Sequence, residues 1–234
     1  MTDQQNAEKA VALVSGGMDS ATAAFEARKR GYELYFLHTT YGQQTAGKES
    51  ECAKQLAEHI DVADFLHIET DHLARIGASS LTDDSLDVND VDLDSDQIPS
   101  SYVPFRNANL LSMATSYAEA NDCRAIFIGA HSEDHSGYPD CRPEFFDAFQ
   151  GVVDVGTKPE TSIDLMAPFV DWTKTEITEW GLDLNVPYDL TWSCYRDEEP
   201  ACGRCDACAY RLRAFEEAGV RDPIEYRERP NYID

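Results

Sequence analysis

Two serines and an aspartate surround a glycine pair in the segment Ser15–Ser20. An apolar run, Val11–Val14, precedes this segment, and an alanine-rich stretch, Ala21–Arg28, follows it. This order predicts a buried strand, a turn on the two glycines, and then a helix. Glycines let the backbone approach a bound group closely, and the free amides and dipole of a helix start favour an anion. The chemistry that the segment could perform is therefore the binding of phosphate.

The glycine turn differs from two common phosphate-binding motifs. It lacks the Gly-Lys-Ser/Thr ending of a Walker loop, and it is not a dinucleotide-binding GxGxxG. It resembles the PP-loop, SGGxDS, of ATP pyrophosphatases, which holds the pyrophosphate of ATP while a substrate oxygen attacks the α-phosphorus. An ordinary turn before a capped helix is the alternative, but all five fixed positions match in a strand-turn-helix context. The ATP-binding residues that this resemblance implies are Val14, Ser15, Gly16, Gly17, Met18, Asp19, Ser20, Ala21, Thr22, Ala23 and Ala24.

Four of the seven cysteines lie close together in the sequence, as Cys194, Cys202, Cys205 and Cys208. Four thiolates at this spacing match the tetrahedral preference of a closed zinc site, with Zn–S distances of ~2.3 Å. An iron–sulfur cluster also accepts four cysteines, and unpaired buried thiols would need no metal. The spacing favours one Zn²⁺ per chain. Its role is predicted to be structural, because no coordination position remains for a reactive water.

Two further segments are dense in polar side chains. The first ends in Arg106 and Asn107, with Asn107 as the apparent cap of a predicted helix. A guanidinium at a helix start can meet a phosphate or a carboxylate, and a surface arginine is the alternative. The second segment, Gly129–Phe146, follows a predicted strand at the position where such folds place a substrate. Its density and placement favour a substrate loop over a polar surface loop.

The elements that must position these residues alternate along the chain. Strands are predicted over 11–14, 34–38, 65–69, 125–130 and 163–166, and helices over 19–30, 47–59, 107–120, 144–155 and 173–181. Strands spaced by helices indicate an α/β fold with a Rossmann-like, doubly wound parallel sheet. We predict a PP-loop ATP-binding domain over residues 1–190 and a small C-terminal zinc-binding segment over residues 191–234.

Residues 82–101 interrupt the alternation with seven aspartates and few large apolar groups. This composition predicts a solvated or mobile loop, with a lid as one role. A calcium loop is the alternative, but the EF-hand spacing with its glycine and terminal glutamate is absent.

The chain carries 44 acidic and 19 basic residues, a formal net charge of −25. Such a charge repels itself unless salt screens it, and an acidic, lysine-poor surface is typical of halophilic proteins. A merely acidic mesophilic enzyme is the alternative. The charge argues against direct nucleic-acid binding, which needs cationic contacts. Because no apolar run reaches about 18 residues and the N-terminus is unlike a signal peptide, we expect a cytoplasmic protein without membrane contact.

Together these segments resemble the 7-cyano-7-deazaguanine synthases, PP-loop enzymes that make the nitrile precursor of queuosine and archaeosine. The resemblance covers nearly the whole chain: SGGMDS at 15–20, YGQ at 41–43, VPFRN at 103–107, GA at 129–130, SGYPDCRPEF at 136–145, KTEI at 174–177, TWSCY at 191–195 and CGRCDAC at 202–208. The family commonly has Arg and His after Tyr-Gly-Gln, where this chain has Gln44 and Thr45. His131 occupies a position that is often Asn.

The resemblance implies conversion of 7-carboxy-7-deazaguanine, ammonia and ATP to the nitrile. Adenylation makes a carboxylate oxygen a leaving group, ammonia gives an amide, and a second activation gives the nitrile. The implied catalytic residues are Ser15, Asp19, Ser20 and Lys174, with Asp19 organising Mg²⁺ and Lys174 neutralising the α-phosphate. For Lys174, a helix-surface position is the alternative. The implied substrate contacts are Arg106, Asn107, Asp134, Tyr138, Asp140 and Arg142.

Two other functions stay open at this point. A PP-loop enzyme that modifies tRNA, of the thiolation or lysidine type, could use Cys141 as a sulfur-carrying nucleophile, but the sequence shows no basic face. A non-catalytic nucleotide-sensing or zinc-binding module would need neither both loop serines nor the substrate-type segment. The sequence does not determine the oligomeric state, and a homodimer is one open alternative.

Overall fold

Five parallel strands form the centre of the molecule. The computed structural model describes residues 7–83, 86, 88, 90, 98–134 and 138–233. The strands are β1 (Lys9–Leu13), β2 (Glu33–Thr40), β3 (Asp64–Glu69), β4 (Ala125–Phe127) and β5 (Asp164–Met166). They pair in the order β3-β2-β1-β4-β5, and every neighbouring pair is parallel. The order reverses between β1 and β4, so the doubly wound sheet that the sequence predicts is confirmed, with its switch point beside β1.

Helices follow the strands. They are α1 (Met18–Lys29), α2 (Ala46–Ile60), α3 (His72–Ile76), α4 (Arg106–Ala120), α5 (Pro143–Gly156), α6 (Lys174–Asp183) and α7 (Asp206–Glu217). All ten predicted strands and helices are present, although β4 is three residues shorter than predicted. Two helices were not predicted. α3 has only five residues, too few to show a helical period, and α7 begins inside the cysteine motif.

Both faces of the sheet are covered, which explains the continuous apolar character of the strands. Ala12 and Phe36 pack in a cluster with α1 and α2, whereas Val11 and Leu37 pack with α4 and α5 on the opposite face. Neighbouring residues of one strand thus enter different clusters, because successive side chains point to opposite faces. Among the described helices, none is both long enough and apolar enough to cross a membrane.

A third apolar cluster lies outside the sheet and joins the cysteine segment to the residues around the acidic loop. It contains Trp192 and Cys194 together with Leu81, Val88 and Val103. The prediction of a mobile lid at residues 82–101 falls mostly on positions outside the described part of the chain. Of the described positions, Val88 is 8% exposed, so this point of the segment is held in an apolar contact.

Candidate active site

A cavity of about 220 Å³ opens at the carboxyl ends of β1, β2 and β4. Parallel strands bring the turns that follow them to one edge of the sheet, and the reversal of strand order leaves a crevice there. The walls come from the PP-loop, the segment after β2, the start of α4, the residues after β4, the start of α6, and Trp192, Ser193 and Tyr195. The predicted PP-loop therefore lies at the switch point of the sheet.

The shape of the PP-loop depends on its first glycine and its two serines. Gly16 has a φ of +89°, and a Cβ at this position would lie 2.4 Å from the carbonyl oxygen of Glu49. Glycine is required there for both the left-handed turn and the close approach of α2. The Ser15 and Ser20 hydroxyls lie 3.0 Å apart, and the Gly17 N–H donates to the Ser15 hydroxyl over 3.1 Å. Gly17 occupies the N-cap of α1, and no side chain caps the helix, which suits an anion at this end.

The predicted ATP-binding residues divide into two groups. Those that line the cavity are Val14, Ser15, Gly17, Asp19 and Ser20. Those that are buried and do not line the cavity are Gly16, Met18, Ala21, Thr22, Ala23 and Ala24. The Thr22 hydroxyl, for example, donates to the carbonyl of Met18 within α1. The second group positions the loop through core packing, and its contact with ATP stays a prediction.

Lys174 lies in the cavity, 8% exposed, and not on the surface of α6. Its ammonium donates to Asp19 Oδ2 over 2.9 Å and lies 3.5 Å from His131 Nε2. The helix starts at this lysine because Thr173 and Glu176 form a capping box, in which each side chain accepts the other residue's backbone N–H. The fold thus brings Lys174 to a carboxylate 155 positions away in the sequence.

Asp19 is held in its ionised form. Burial alone raises the pKa of this carboxyl, but the Lys174 ammonium, together with His131, brings its pKa below the ordinary value. Lys174 engages Oδ2, whereas Oδ1 is buried without a hydrogen-bond partner among the described residues. A carboxylate oxygen of this kind, next to the PP-loop, fits the oxygen ligands that Mg²⁺ takes.

The prediction that Asn107 caps α4 is wrong. The helix begins one residue earlier, at Arg106, and Phe105 occupies the N-cap position with a φ of +57°. The Asn107 amide instead donates to the carbonyl of Asp140 over 2.9 Å and to Cys141 Sγ over 3.1 Å. The Asp140 carboxylate in turn accepts the Asn107 N–H over 2.8 Å. Because the Asn107 side chain bonds to the turn at Asp140 and Cys141, it does not cap the N-terminus of α4.

Three of the six predicted substrate contacts line the cavity: Arg106, Asn107 and Tyr138. Arg106 Nη1 donates to the Tyr41 hydroxyl over 3.0 Å. Asp140 is buried against Asn107 and does not line the cavity, and Arg142 is exposed outside it. Asp134 ends a 3-10 turn, and its side chain lies outside the described part of the structure. The contact of each residue with substrate stays a prediction.

Sequence reasoning missed a group of polar side chains after β2. Thr39, Gln43, Thr45 and Glu49 all line the cavity. The Thr39 hydroxyl is buried and has no hydrogen-bond partner among the described residues, so it is available to a ligand. The Tyr-Gly-Gln motif could have indicated that Gln43 belongs to the site. Nothing in the sequence indicated this for Glu49, because ordinary helix electrostatics also favours a glutamate in the first turn of an amphipathic helix.

The four clustered cysteines form a compact group of sulfur atoms. All four are buried, and their Sγ atoms lie within 4.8 Å of one another. Cys202 and Cys208 have an Sγ–Sγ distance of 3.8 Å, which equals the separation of about 3.8 Å that a tetrahedral site with Zn–S bonds of about 2.3 Å requires. The N–H groups of Asp197 and Cys202 donate to Cys194 Sγ over 3.3 and 3.4 Å. The cluster can hold a metal ion.

The fold is shared with a solved enzyme structure. The NMN synthetase of Francisella tularensis aligns with a TM-score of 0.50 over 92% of this chain and 79% of its own, at 20% sequence identity. At this identity the likeness concerns the fold alone. It agrees with the parallel sheet and helices described above.

Sequence comparison identifies much closer relatives. The 7-cyano-7-deazaguanine synthase of Haloarcula marismortui is 71% identical over all of both chains. The synthase of Halobacterium salinarum is 68% identical over 97% of this chain and 99% of its own, and that of Chlorobium phaeobacteroides is 54% identical over 96% and 100%. The family model for queuosine biosynthesis protein QueC matches residues 9–219. The chain is therefore an enzyme of the QueC family of queuosine biosynthesis proteins.

Proposed function

We propose that the chain is an ATP-dependent ligase that joins 7-carboxy-7-deazaguanine and ammonia to give 7-cyano-7-deazaguanine. The observation that carries this proposal is the pairing of Lys174 with Asp19 over the PP-loop, at 2.9 Å and within the cavity. It supplies a cation for a phosphate and a carboxylate oxygen for Mg²⁺ beside a turn that suits a pyrophosphate. The names of the relatives supply the substrate class.

The proposed chemistry begins at the carboxylate of the substrate. Its oxygen attacks the α-phosphorus of ATP, the bond to the β-phosphate oxygen breaks, and pyrophosphate leaves with the electron pair. The backbone amides of the PP-loop and the Lys174 ammonium stabilise the charge that develops on the phosphates. Ammonia then displaces AMP to give the amide. A second adenylation, on the amide oxygen, and loss of AMP and a proton give the nitrile.

Three features support a small planar substrate over tRNA. Three tyrosines, Tyr41, Tyr138 and Tyr195, line the cavity, and Arg106 is available to an anionic group. The net charge of −25 opposes a polynucleotide, because phosphate binding needs many cations. Cys141, the residue that a sulfur-transfer reaction would use, is only 4% exposed at the wall of the cavity, and its Sγ accepts a hydrogen bond from Asn107.

The metal of the cysteine cluster is proposed to be one structural Zn²⁺, held by Cys194, Cys202, Cys205 and Cys208. Four buried thiols with tetrahedral spacing support zinc and leave no position for a reactive water. Mg²⁺ is proposed to accompany ATP, with Asp19 as its protein ligand.

The test is turnover in molar KCl with ATP, Mg²⁺, ammonium and 7-carboxy-7-deazaguanine, followed by mass spectrometry. The expected products are the nitrile, AMP and pyrophosphate. Lys174→Met should lower AMP formation by about 100-fold, the cost of removing one preorganised charge-stabilising group. Lys158→Met, at an exposed position outside the cavity, is the matched control and should match the wild type. Absence of AMP formation in the wild type, or equal rates in both variants, would refute the proposal.

A further inference from the structure

Glu49 is a carboxylate of the cavity that the proposed phosphate chemistry does not use. It lies in the first turn of α2, where Gln43 Nε2 donates to its Oε2 over 3.0 Å and the Thr45 hydroxyl donates to its Oε1 over 2.7 Å. In the described part of the chain, no lysine, arginine or histidine forms an ion pair with it. This carboxylate of the cavity is thus held by two neutral hydrogen-bond donors, and Arg106 in the same cavity acts on its charge without forming an ion pair with it.

The two donors are themselves fixed. Gln43 is 6% exposed, and its side-chain oxygen accepts the Tyr41 N–H over 2.8 Å. Thr45 is 2% exposed, and its hydroxyl also lies 3.1 Å from the carbonyl oxygen of Cys194. Thr45 stands at a position where the resemblance leads one to expect histidine. These supports orient the Glu49 carboxylate before any ligand binds, which is a property of binding and catalytic groups.

Glu49 also lies close to the reacting end of the nucleotide site. Its carbonyl oxygen is so near to Gly16 that a Cβ there would lie 2.4 Å away. The first turn of α2 therefore contacts the PP-loop, where the acyl adenylate would form. Desolvation by the surrounding chain, opposed by the Gln43 and Thr45 hydrogen bonds and by the charge of Arg106, leaves the pKa of Glu49 above its ordinary value. A raised pKa makes a carboxylate a better proton acceptor near neutral pH.

The reaction proposed above needs such a group. Near neutral pH, ammonia is present mostly as ammonium, which has no lone pair with which to attack. It must be bound as a cation and must lose a proton before the C–N bond can form. Lys174 and Arg106 are cations and cannot do this, and Asp19 is already paired with Lys174.

We propose that Glu49, oriented by Gln43 and Thr45, binds ammonium and accepts its proton; this inference rests on the proposed function. One N–H proton passes to a Glu49 oxygen. The freed nitrogen lone pair forms the bond to the acyl carbon of the adenylate. The bond from that carbon to the AMP oxygen then breaks, AMP leaves with the electron pair, and a second proton passes to the departing phosphate. The products are the amide and AMP.

The experiment separates adenylation from ammonia use in Glu49→Gln. Exchange of labelled pyrophosphate into ATP, measured with 7-carboxy-7-deazaguanine and no ammonium, reports adenylation alone. Capture of the adenylate by hydroxylamine, which is mainly neutral at pH 7, reports an acyl carbon that needs no ammonium site. Glu49→Gln should keep both signals within about 3-fold and lose ammonium-dependent amide and nitrile formation by about 100-fold or more, as expected for loss of a general base. Glu58→Gln, exposed on the same helix, is the matched control.

Each other outcome is decisive. Unchanged ammonium kinetics in Glu49→Gln would overturn the proposal. A raised KM for 7-carboxy-7-deazaguanine with an unchanged KM for ammonium would overturn it too, and would assign the carboxylate to the N–H edge of the ring. Loss of pyrophosphate exchange along with ammonium use would also overturn the proposal, because Glu49 would then be needed for adenylation and not for ammonia delivery alone. A wild-type enzyme without exchange would refute the proposed function itself, whatever the variant does.

Discussion

Replacing Asp222 by asparagine should destabilise the fold far more than the loss of an exposed charge. Asp222 and Arg211 form an ion pair in which both side chains are 0% exposed, with an Nε–Oδ2 distance of 2.7 Å. The carboxylate also accepts a second guanidinium hydrogen bond, the Tyr226 hydroxyl over 2.6 Å and the Ile224 N–H over 3.2 Å. In Asp222→Asn the buried guanidinium loses its counter-charge, and one acceptor becomes an N–H₂ donor.

The size of the effect follows from this burial. Removing one partner of a buried pair typically costs about 3–5 kcal/mol, because the remaining charge is left uncompensated. Each kcal/mol shifts the Tm of a protein of this size by about 2–4 °C, so the expected fall in Tm is about 6–20 °C. The matched control is Glu228→Gln, which breaks the pair between Arg204 and Glu228, where the side chains are 49% and 50% exposed. An exposed pair contributes about 0–1 kcal/mol.

The assay is thermal unfolding of both variants at low and at molar KCl. Salt screens exposed charges much more than buried ones, so the deficit of Asp222→Asn should persist in molar KCl while that of Glu228→Gln disappears. Equal Tm shifts in the two variants, or a deficit in Asp222→Asn that salt removes, would refute the argument from burial.

Three further predictions concern the metal, pH and salt. Cys205→Ser should lose zinc and unfold at lower temperature, because metal binding and local folding are coupled; elemental analysis should show that Cys123→Ser, a change at a buried cysteine outside the cluster, keeps its zinc. Burial lowers the pKa of His38 to about 4, so between pH 6.5 and 4 only the unfolded chain gains this proton. The free energy of unfolding should then fall by about 3 kcal/mol, and acid melts of His38→Gln should lack that part of the loss. The wild-type Tm should rise from low to molar KCl, where the Debye length falls to about 3 Å; a flat or falling Tm would contradict a halophilic surface.

Sequence patterns predicted correctly those elements whose structure depends on interactions within a few residues. The strand over 11–14 and the alanine-rich helix after it follow from apolar runs, turn glycines and helix propensity, all of which lie within a few residues. The metal site could likewise be predicted from the cysteine motif, because the spacing of the four cysteines brings their thiols within reach of one ion. The PP-loop belongs to this class, since its glycines and serines bond to one another.

Contacts between segments that are distant in the sequence could not be predicted from local patterns. The cap of α4 was misassigned because Asn107 bonds to the turn at Asp140, 33 positions away, and no local rule weighs that partner. The return of Lys174 to Asp19 came only through resemblance to a family. Glu49 gave no signal at all, because its place in the cavity depends on how α2 packs against Gly16.

The cysteine segment is part of the wall of the cavity, although it is predicted as a separate unit after residue 190. Trp192 donates its N–H to the carbonyl of Gly16 over 2.8 Å, so the segment holds the first glycine of the PP-loop directly. Ser193 and Tyr195, on either side of Cys194, both line the cavity. A metal ion that fixes Cys194 would therefore also fix these two neighbours. Loss of the metal should consequently weaken the proposed ATP binding as well as folding, because the same short stretch carries both a predicted metal ligand and the contact to the PP-loop.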